Sequence, residues 1–381
     1  MKKIAILGAT GSIGRQALDI VEKNPELFTV TALTAHRDSE QLLSLAKKFG
    51  AKYVGLTGVS SDAQFAKKVP KGVDVGFGIR ALVESCAAGS PDIVLIAVVG
   101  IAGLPPLVEC LEHGTNVALA NKESLVCGGH IVKEKQKKSS TEIFPVDSEL
   151  CAVYQCLKGV DTTGLRRVIL TASGGPFFDW SKEEIANATV EQALRHPNWN
   201  MGRKITVDCA TYMNKGLEII ETKWMFDIPP EKIDVVVHRQ SIIHSMIEYN
   251  DGAVIAQMGP IDMRQPIQYA FGHPERLESA VGHLDFASLK SLTFEEPNLD
   301  KFPCLRHAMD AIKQGGAMPV ILNAANEAAV ELFLEKKIPF GGIEQTVAFA
   351  MNKFAHLKAG SLLEIYNTDT EVKKFVYNNL K

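Results

Sequence analysis

The 381-residue chain has no Cys-x-x-Cys pair, and its seven cysteines (Cys86, Cys110, Cys127, Cys151, Cys156, Cys209 and Cys304) are scattered and odd in number. Neither a disulfide framework nor a thiolate zinc site is suggested, and a reducing cytoplasm fits best. Long apolar runs are also missing. The longest, Ile93 to Gly103, falls short of the ~18 residues that span a bilayer and reads as a buried strand and its exit. At the start, only four apolar residues separate Met1-Lys2-Lys3 from Gly8. A secretory core needs roughly 7–15, so no signal segment is expected. Charge of one sign is scarce too. The net charge is -3, which gives no reason to expect nucleic acid or an anionic membrane as partner. The run Lys133-Glu134-Lys135-Gln136-Lys137-Lys138 mixes signs and reads as a solvated helix end. Internal repeats and low-complexity tracts are absent. What remains, 46% hydrophobic and 22% charged residues, describes an ordinary soluble chain long enough for two or three domains.

The apolar pattern predicts an α/β fold. Residues 3–7 form a short apolar run stopped by Gly8, Ile13 to Lys23 carries apolar residues at helical spacing, and Phe28 to Thr34 is rich in β-formers. Further runs at Tyr53–Leu56, Ile93–Val99, Val117–Ala120 and Ile143–Val146 alternate with helical stretches. A doubly wound parallel sheet over roughly the first 150 residues follows. Strand-like runs at Val168–Ala172, Val235–Val237, Ser245–Tyr249 and Val254–Met258, with Asn250-Asp251-Gly252 as a hairpin turn, predict a partly antiparallel sheet in an α+β middle. His283 to Pro303 reads as a connecting arm, and Met318 onward as a small helical domain.

Gly8-Ala9-Thr10-Gly11-Ser12-Ile13-Gly14 sits between a strand and a helix, the context a dinucleotide fingerprint requires. Its glycines allow a tight turn and close approach of a pyrophosphate to a helix N-terminus; a ligand-free βα turn is the alternative. An NAD site usually carries an acid at the end of the second strand. Here that strand ends Thr34-Ala35-His36-Arg37, with no acid before Asp38. Arg37 is placed to meet a 2′-phosphate, favouring NADPH over NADH, unless it is an ordinary loop arginine.

Two clusters downstream suggest a metal and a phosphorylated substrate. Asp147 and Glu149 are two apart after a strand-like run, so both point to one face and Ser148 to the other. A helix N-cap at Asp-Ser-Glu is the competing reading. In Asn214-Lys215-Gly216-Leu217-Glu218, helical spacing sets Asn214 and Lys215 beside Glu218; a surface Lys–Glu pair is the plain alternative. Three carboxylates with a lysine and an asparagine nearby suit a hard cation and a phosphate. The turn Thr171-Ala172-Ser173-Gly174-Gly175-Pro176 could cradle phosphate. His196-Pro197-Asn198-Trp199-Asn200-Met201-Gly202-Arg203 is either a water-excluding lid or packing at a domain edge. His238 and His244 read as structural.

These segments resemble one family, the 1-deoxy-D-xylulose 5-phosphate reductoisomerases. The likeness also includes Leu119-Ala-Asn-Lys-Glu-Ser-Leu-Val126, Gln240-Ser-Ile-Ile-His-Ser-Met246, Asp262-Met-Arg264 and Leu322-Asn-Ala-Ala-Asn-Glu327, and so spans the chain. The resemblance implies a cytosolic homodimer acting on a small phosphorylated sugar, with no nucleic acid or membrane partner. It implies an NADPH-binding Rossmann-like domain (1–146), a catalytic and dimerisation domain (147–282), a linker arm (283–310) and a C-terminal helical domain (311–381). It implies conversion of 1-deoxy-D-xylulose 5-phosphate to 2-C-methyl-D-erythritol 4-phosphate with NADPH and Mg²⁺ or Mn²⁺, Co²⁺ being possible. On this likeness Asp147, Glu149 and Glu218 hold the metal. Lys122, Ser148, Glu149, Ser173, His196, Trp199, Cys209, Asn214, Lys215 and Glu218 meet the substrate. Thr10, Gly11, Ser12, Ile13, Ala35, His36, Arg37, Asn121, Glu123 and Gly202 meet NADPH. Lys122, Asp147, Glu149, His196 and Glu218 form the catalytic set, within which Lys122 would stabilise oxyanion charge. Some positions depart from the family pattern: Cys209 replaces a phosphate-binding Ser, Leu150-Cys151 a His-Asn pair, His36-Arg37 a Gly-Lys pair, and Arg239 a Pro.

Two rival readings remain. A semialdehyde or acyl-phosphate dehydrogenase also begins Gly-Ala-Thr-Gly but needs a nucleophilic Cys with a His partner, and Cys127, Cys151 and Cys209 have no such motif around them. An NADPH-sensing interaction protein would bind nucleotide without turnover.

Overall fold

The computed structural model describes residues 1–160 and 162–379. Among these residues eleven strands carry the sheets: β1 (Lys2–Leu7), β2 (Phe28–Ala35), β3 (Tyr53–Leu56), β4 (Asp74–Phe77), β5 (Ile93–Ile96), β6 (Asn116–Leu119), β7 (Ile143–Pro145), β8 (Leu165–Ala172), β9 (Ile233–Val237), β10 (Ile243–Tyr249) and β11 (Val254–Met258). In the first half the helices are α1 (Ser12–Lys23), α2 (Ser39–Phe49), α3 (Ala63–Lys68), α4 (Gly78–Ser85), α5 (Leu104–His113), α6 (Lys122–Gln136) and α7 (Ser148–Leu157). Then come α8 (Lys182–Ala186), α9 (Val190–Ala193), α10 (Arg203–Ala210), α11 (Met213–Phe226), α12 (Arg264–Gly272) and α13 (Phe286–Leu289). The last four are α14 (Pro303–Gln314), α15 (Met318–Leu334), α16 (Gly341–Lys353) and α17 (Leu362–Asn379).

The chain forms two compact units: Met1–Ser124 with Val132–Cys151 and Asp262–His283, and Leu125–Ile131 with Ala152–Ile261 and Leu284–Lys381. Asp262–His283, grouped with the middle of the chain on sequence, therefore belongs to the first unit. Arg264 explains the return: its guanidinium pairs with Asp262 on its own turn and with Asp19 of α1 at 3.1 Å. Lys2 Nζ adds bonds to the carbonyls of Phe271 and His273 at the end of α12 (2.7 and 3.0 Å).

The first unit is built on an all-parallel sheet ordered β4-β3-β2-β1-β5-β6-β7. Its central strands are apolar on both faces because helices cover both; Ile4 to Leu7 and Val94 to Ile96 are fully buried. Hence the continuous apolar runs in the sequence. β4 goes unpredicted because it is a short edge strand, DVGF, half-exposed and paired only with β3.

The second unit holds a sheet ordered β11-β10-β8-β9, in which β8 and β9 run parallel and the other pairings are antiparallel. The Asn250-Asp251-Gly252 turn joins β10 to β11, with Gly252 at φ +87°. One face packs on a core that includes Phe177, Val207, Ile219, Phe333 and Phe340. The C-terminal helices begin earlier than the sequence reading has them: α14 starts at Pro303, inside the expected linker, because Pro at the first helical turn costs no hydrogen bond.

Candidate active site

Gly8 leaves β1 at φ +91°, and a Cβ there would stand 2.5 Å from the Ala97 carbonyl oxygen. A Cβ on Gly14 would stand 2.3 Å from the Gly8 carbonyl. Both glycines are required by backbone approach. Thr34 pins the turn by accepting from Gly8 N (3.0 Å) and Ala9 N (2.7 Å). Gly11 is the N-cap of α1, with no side-chain cap and no acid in the first turn. Free N–H groups therefore meet whatever anion sits there. This turn lies between β1 and β5, where the strand order reverses, which is the crevice open α/β sheets use for ligands.

Around it stand the other expected nucleotide residues. Thr10 and Ile13 are half-buried and Ser12 is exposed. β2 ends at buried Ala35, followed by exposed His36 and Arg37. His36 Nδ1 is 3.3 Å from Thr57 Oγ1. Asp38, the nearest acid, caps α2 by accepting from Gln41 N at 3.0 Å. Arg37 and Asp38 thus both stand exposed at the strand end, with the acid turned to the helix cap. Asn121 is 1% exposed, and its side chain is engaged within the protein. It donates to the carbonyls of Val98 and Gly100 (2.9 and 2.8 Å) and caps α6 at Ser124 N (3.1 Å), tying the β5 exit to the β6 exit. Glu123, also buried, accepts from the same amide at 3.1 Å.

The acidic cluster forms differently from expectation. β7 stops at Pro145 and α7 starts at Ser148, so Asp147 and Glu149 are not alternate residues of a strand. Asp147 instead sits at the N-terminus of α7. Its carboxylate accepts from Glu149 N (3.2 Å) and its carbonyl from Cys151 N (2.8 Å). The capping reading is correct, and it does not compete with a ligand role. Lys122 Nζ lies 2.7 Å from Asp147 Oδ2, and Ser148 Oγ donates to Glu149 at 2.6 Å.

On α11 the helical spacing holds. Glu218 is fully buried; Asn214 donates to one oxygen at 2.5 Å and Lys215 pairs with the other. A carboxylate in such a place is tolerated only with its charge met. Ligand oxygens of Asp147, Glu149 and Glu218 all lie within 4.8 Å of one another. An all-oxygen set of three carboxylates fits a hard divalent cation. α11 is held close to α14 at Gly216, where a Cβ would fall 2.4 Å from that of Ala308. Gly216→Ala is expected to destabilise the fold by roughly 1–3 kcal/mol through overpacking. Urea denaturation measures this, and an unchanged midpoint would contradict the close helix contact.

The small-residue turn after β8 places Gly174 and Gly175 at φ +86° and +65°. A Cβ on Gly175 would lie 2.9 Å from the Cys209 carbonyl, so half-buried Cys209 of α10 stands against this turn. Ser173 Oγ accepts from Gly175 N at 3.3 Å and lies 3.0 Å from His196 Nε2. His196 Nδ1 accepts from the N–H groups of Asn198 and Trp199 (3.2 and 3.0 Å). In the neutral ring the proton is therefore on Nε2, directed at Ser173. Residues 196–202 form a loop ending at exposed Gly202, the N-cap of α10, and Arg203, expected in the loop, opens the helix. Half-buried Trp199 leans toward His244, with centroids 6.3 Å apart. His238 is structural: Nδ1 meets the Thr293 carbonyl at 2.9 Å, Nε2 accepts from Ile242 N, and the ring stacks on Phe294.

Two anchors escaped the sequence reading. Asn198 bonds the Arg239 carbonyl (2.6 Å) and Ser241 Oγ (2.9 Å), fastening the loop; an amide inside a proline-flanked loop gives little hint of this. Arg239, one of the family departures, forks onto Asp179 (3.1 and 2.7 Å) and lies over the Phe178 ring.

Three family models match the chain. The one described as 1-deoxy-D-xylulose 5-phosphate reductoisomerase matches residues 4–129, that enzyme's C-terminal domain matches 143–226, and a DXP reductoisomerase C-terminal domain matches 258–375. The reductoisomerase of Clostridium kluyveri is 48% identical over 379 residues, covering 99% of this chain and 98% of the relative. That of Laribacter hongkongensis is 45% identical over the full length of both. The Zymomonas mobilis enzyme solved in complex with NADPH superposes with a TM-score of 0.92 at 40% identity, covering 100% and 99% of the two chains. A DOX-P reductoisomerase solved with NADPH, fosmidomycin and magnesium reaches a TM-score of 0.96 at 39% identity, covering 100% and 98%.

Proposed function

The chain belongs to the 1-deoxy-D-xylulose 5-phosphate reductoisomerase family, and on that premise we propose that Asp147, Glu149 and Glu218 hold its divalent cation while the neighbouring turn, loop and helix hold the substrate. The protein is an NADP-dependent oxidoreductase and isomerase. It rearranges and reduces 1-deoxy-D-xylulose 5-phosphate to 2-C-methyl-D-erythritol 4-phosphate, using NADPH and a divalent metal, for isoprenoid precursor synthesis. The observation that carries the site assignment is the approach of three carboxylates to within 4.8 Å.

When bound, the cation supplies Lewis acidity toward the substrate ketone and NADPH supplies the hydride. The rest falls to this chain's side chains. The Ser173–Gly175 turn, Cys209, Asn214 and Lys215 bind the phosphate: the Lys215 ammonium gives charge, while Ser173 and Asn214 give directed hydrogen bonds. The Cys209 thiol adds a weaker donor than a hydroxyl would. Ser148, Glu149, Glu218 and Lys122 orient the hydroxyl and carbonyl end. Held against Asp147, the Lys122 ammonium stands where oxyanion charge develops. His196, with its Nε2 proton directed at Ser173, orders that serine for the substrate. Trp199 closes over the substrate and excludes water.

For NADPH, the 8–14 turn receives the pyrophosphate, with Thr10, Gly11, Ser12 and Ile13 in contact. Ala35, His36 and Arg37 receive the 2′-phosphate end. Asn121, Glu123 and Gly202 border the nicotinamide end, Asn121 by shaping the strand exits. Arg37→Ala is expected to raise the NADPH dissociation constant about tenfold or more, the worth of a charge-assisted hydrogen bond, and to leave NADH nearly unchanged. Equal weakening of both, read by titration calorimetry, would remove Arg37 from the 2′-phosphate site.

In this assignment residues 1–146 bind NADPH, 147–282 carry catalysis and dimerisation although 262–283 pack with the first unit, 283–310 form the arm, and 311–381 form the helical end. We place the enzyme in the cytoplasm as a homodimer. Its seven free thiols suit a reducing compartment. Among the described residues no helix is long and apolar enough to cross a membrane. For the dimer, β11 is an unpaired edge exposing Val254 and Ile255. Edges of this kind are normally covered. Steady-state assay is the direct test of function: NADPH oxidation must require 1-deoxy-D-xylulose 5-phosphate.

A further inference from the structure

A buried carboxylate that the reaction does not use stands in the last turn of α10. Asp208 is 1% exposed. One oxygen pairs with Lys204 Nζ, one turn earlier on the same helix, at 3.0 Å. The other accepts from Asn326 Nδ2, on α15, at 2.7 Å. Asn326 is itself fully buried, on a helix stretch whose neighbours Ala324, Ala325, Ala328 and Ala329 are also fully buried. A charge in such surroundings is costly, and its partners have to be in place. Packing alone would be served by an alanine at 326; a directed amide does something that packing does not.

Its location shows what. α10 begins at Arg203, just after its N-cap Gly202 where the loop ends, and carries Cys209 next to Asp208. Only Thr211 and Tyr212 separate it from α11, whose first turn presents Asn214 and Lys215. A chain of bonds crosses this joint: Thr211 Oγ1 lies 3.2 Å from the Asp208 carbonyl, and Met213 N donates to Thr211 Oγ1 at 3.3 Å. Tyr212 turns the chain at φ +63° and stacks on Phe302 at 4.1 Å. The loop end, Cys209, and the start of α11 thus all take their positions from α10. One contact that ties the buried side of α10 to the C-terminal helices by a directed hydrogen bond is Asp208 to Asn326.

We propose that Asp208 and Asn326 are positioning residues for the phosphate end of the substrate: their hydrogen bond sets the placement of α10 and thereby of Cys209, Asn214 and Lys215. This rests on the substrate assignment given above. Hydrogen bonds between rigid helices transmit placement without touching the ligand, and small misplacements of binding groups cost affinity steeply.

The test is a donor–acceptor swap in the full-length enzyme. Asn326→Asp keeps the shape but replaces the donor by a second carboxylate. It is expected to raise KM for 1-deoxy-D-xylulose 5-phosphate about tenfold while KM for NADPH stays within twofold. The double variant Asp208→Asn/Asn326→Asp restores one donor and one acceptor in reversed order and is expected to recover most of the lost KM. A merely structural pair would lower active enzyme concentration, seen as reduced kcat with both KM values unchanged, and that result overturns the proposal. So does a double variant no better than the single. If Asn326→Asp fails to fold, as judged by circular dichroism, Asn326→Ala is read by the same criteria. Lys215→Met serves as control. Should it leave the sugar phosphate KM unchanged, the substrate assignment itself has failed. Should it raise that KM while the Asn326 variants do not, only the positioning role has.

Discussion

Glu218→Gln is expected to lower kcat by about 10³-fold, the order seen when one preorganised electrostatic group is removed from a reacting centre. Its NADPH affinity should stay within twofold of wild type. The substitution keeps the side chain's volume and its hydrogen bond capacity toward Asn214, which bonds the carboxylate at 2.5 Å. What it removes is the negative charge. Two consequences follow, and both act in one direction. The metal loses one of three anionic oxygens that lie within 4.8 Å of each other, and the Lys215 ammonium loses its buried counter-charge. The 8–14 turn is fixed separately, by the Gly8 and Ala9 N–H groups donating to the hydroxyl and carbonyl of Thr34. Stopped-flow turnover with saturating substrate, beside a fluorescence titration with NADPH, separates the two quantities. A variant retaining more than a tenth of wild-type kcat would take Glu218 out of the ligand set.

Chelation is expected to have a still larger effect. With excess EDTA, NADPH oxidation in the presence of 1-deoxy-D-xylulose 5-phosphate should fall to background, and Mg²⁺ or Mn²⁺ added beyond the chelator should restore it. The physical ground is the donor set. Carboxylate oxygens without thiolate or imidazole select hard cations, which exchange readily and are stripped by a chelator. NADPH binding itself should persist in EDTA, since the nucleotide turn uses N–H groups at the α1 N-terminus. The same measurement discriminates the rival dehydrogenase reading, in which activity would survive chelation and be lost on thiol alkylation. Among the seven cysteines six are buried, and Cys209 is half-buried on α10. Undiminished turnover in EDTA would sink the metal assignment outright.

Much of the architecture was legible because local rules were obeyed without conflict. The parallel strands announced themselves as continuous apolar runs, since each is buried on both faces. The Asn-Asp-Gly turn between β10 and β11 obeyed its ordinary hairpin chemistry. Gly8 and Gly14 were read as allowing a tight turn; that other backbone crowds both positions is a further reason the pattern did not carry. On α11 the three- and four-residue spacings placed Asn214 and Lys215 on Glu218 as helix geometry requires. Failures came where context outweighed pattern. β4 lacks a burial signal because it is an edge. Asp147-Ser148-Glu149 carries two signals at once, strand alternation and helix capping, and the fold chose the second. α14 begins within a stretch whose prolines and charges read as an arm, because Pro303 opens a helix rather than breaking one.

Local sequence was enough for the α/β class, the strand–turn–helix at Gly8 to Gly14, and which residue types could carry the proposed chemistry. These depend on neighbours within a few positions of one another, where φ/ψ limits, helix spacing and burial period leave few choices. Only the packed fold shows that His196 aims Nε2 at Ser173 and that an asparagine in an alanine-rich helix grips Asp208. Such meetings join residues distant along the chain, and no local periodicity encodes which distant partner a side chain will find. They are set by how helices and sheets pack, where a shift of an ångström makes or breaks a hydrogen bond.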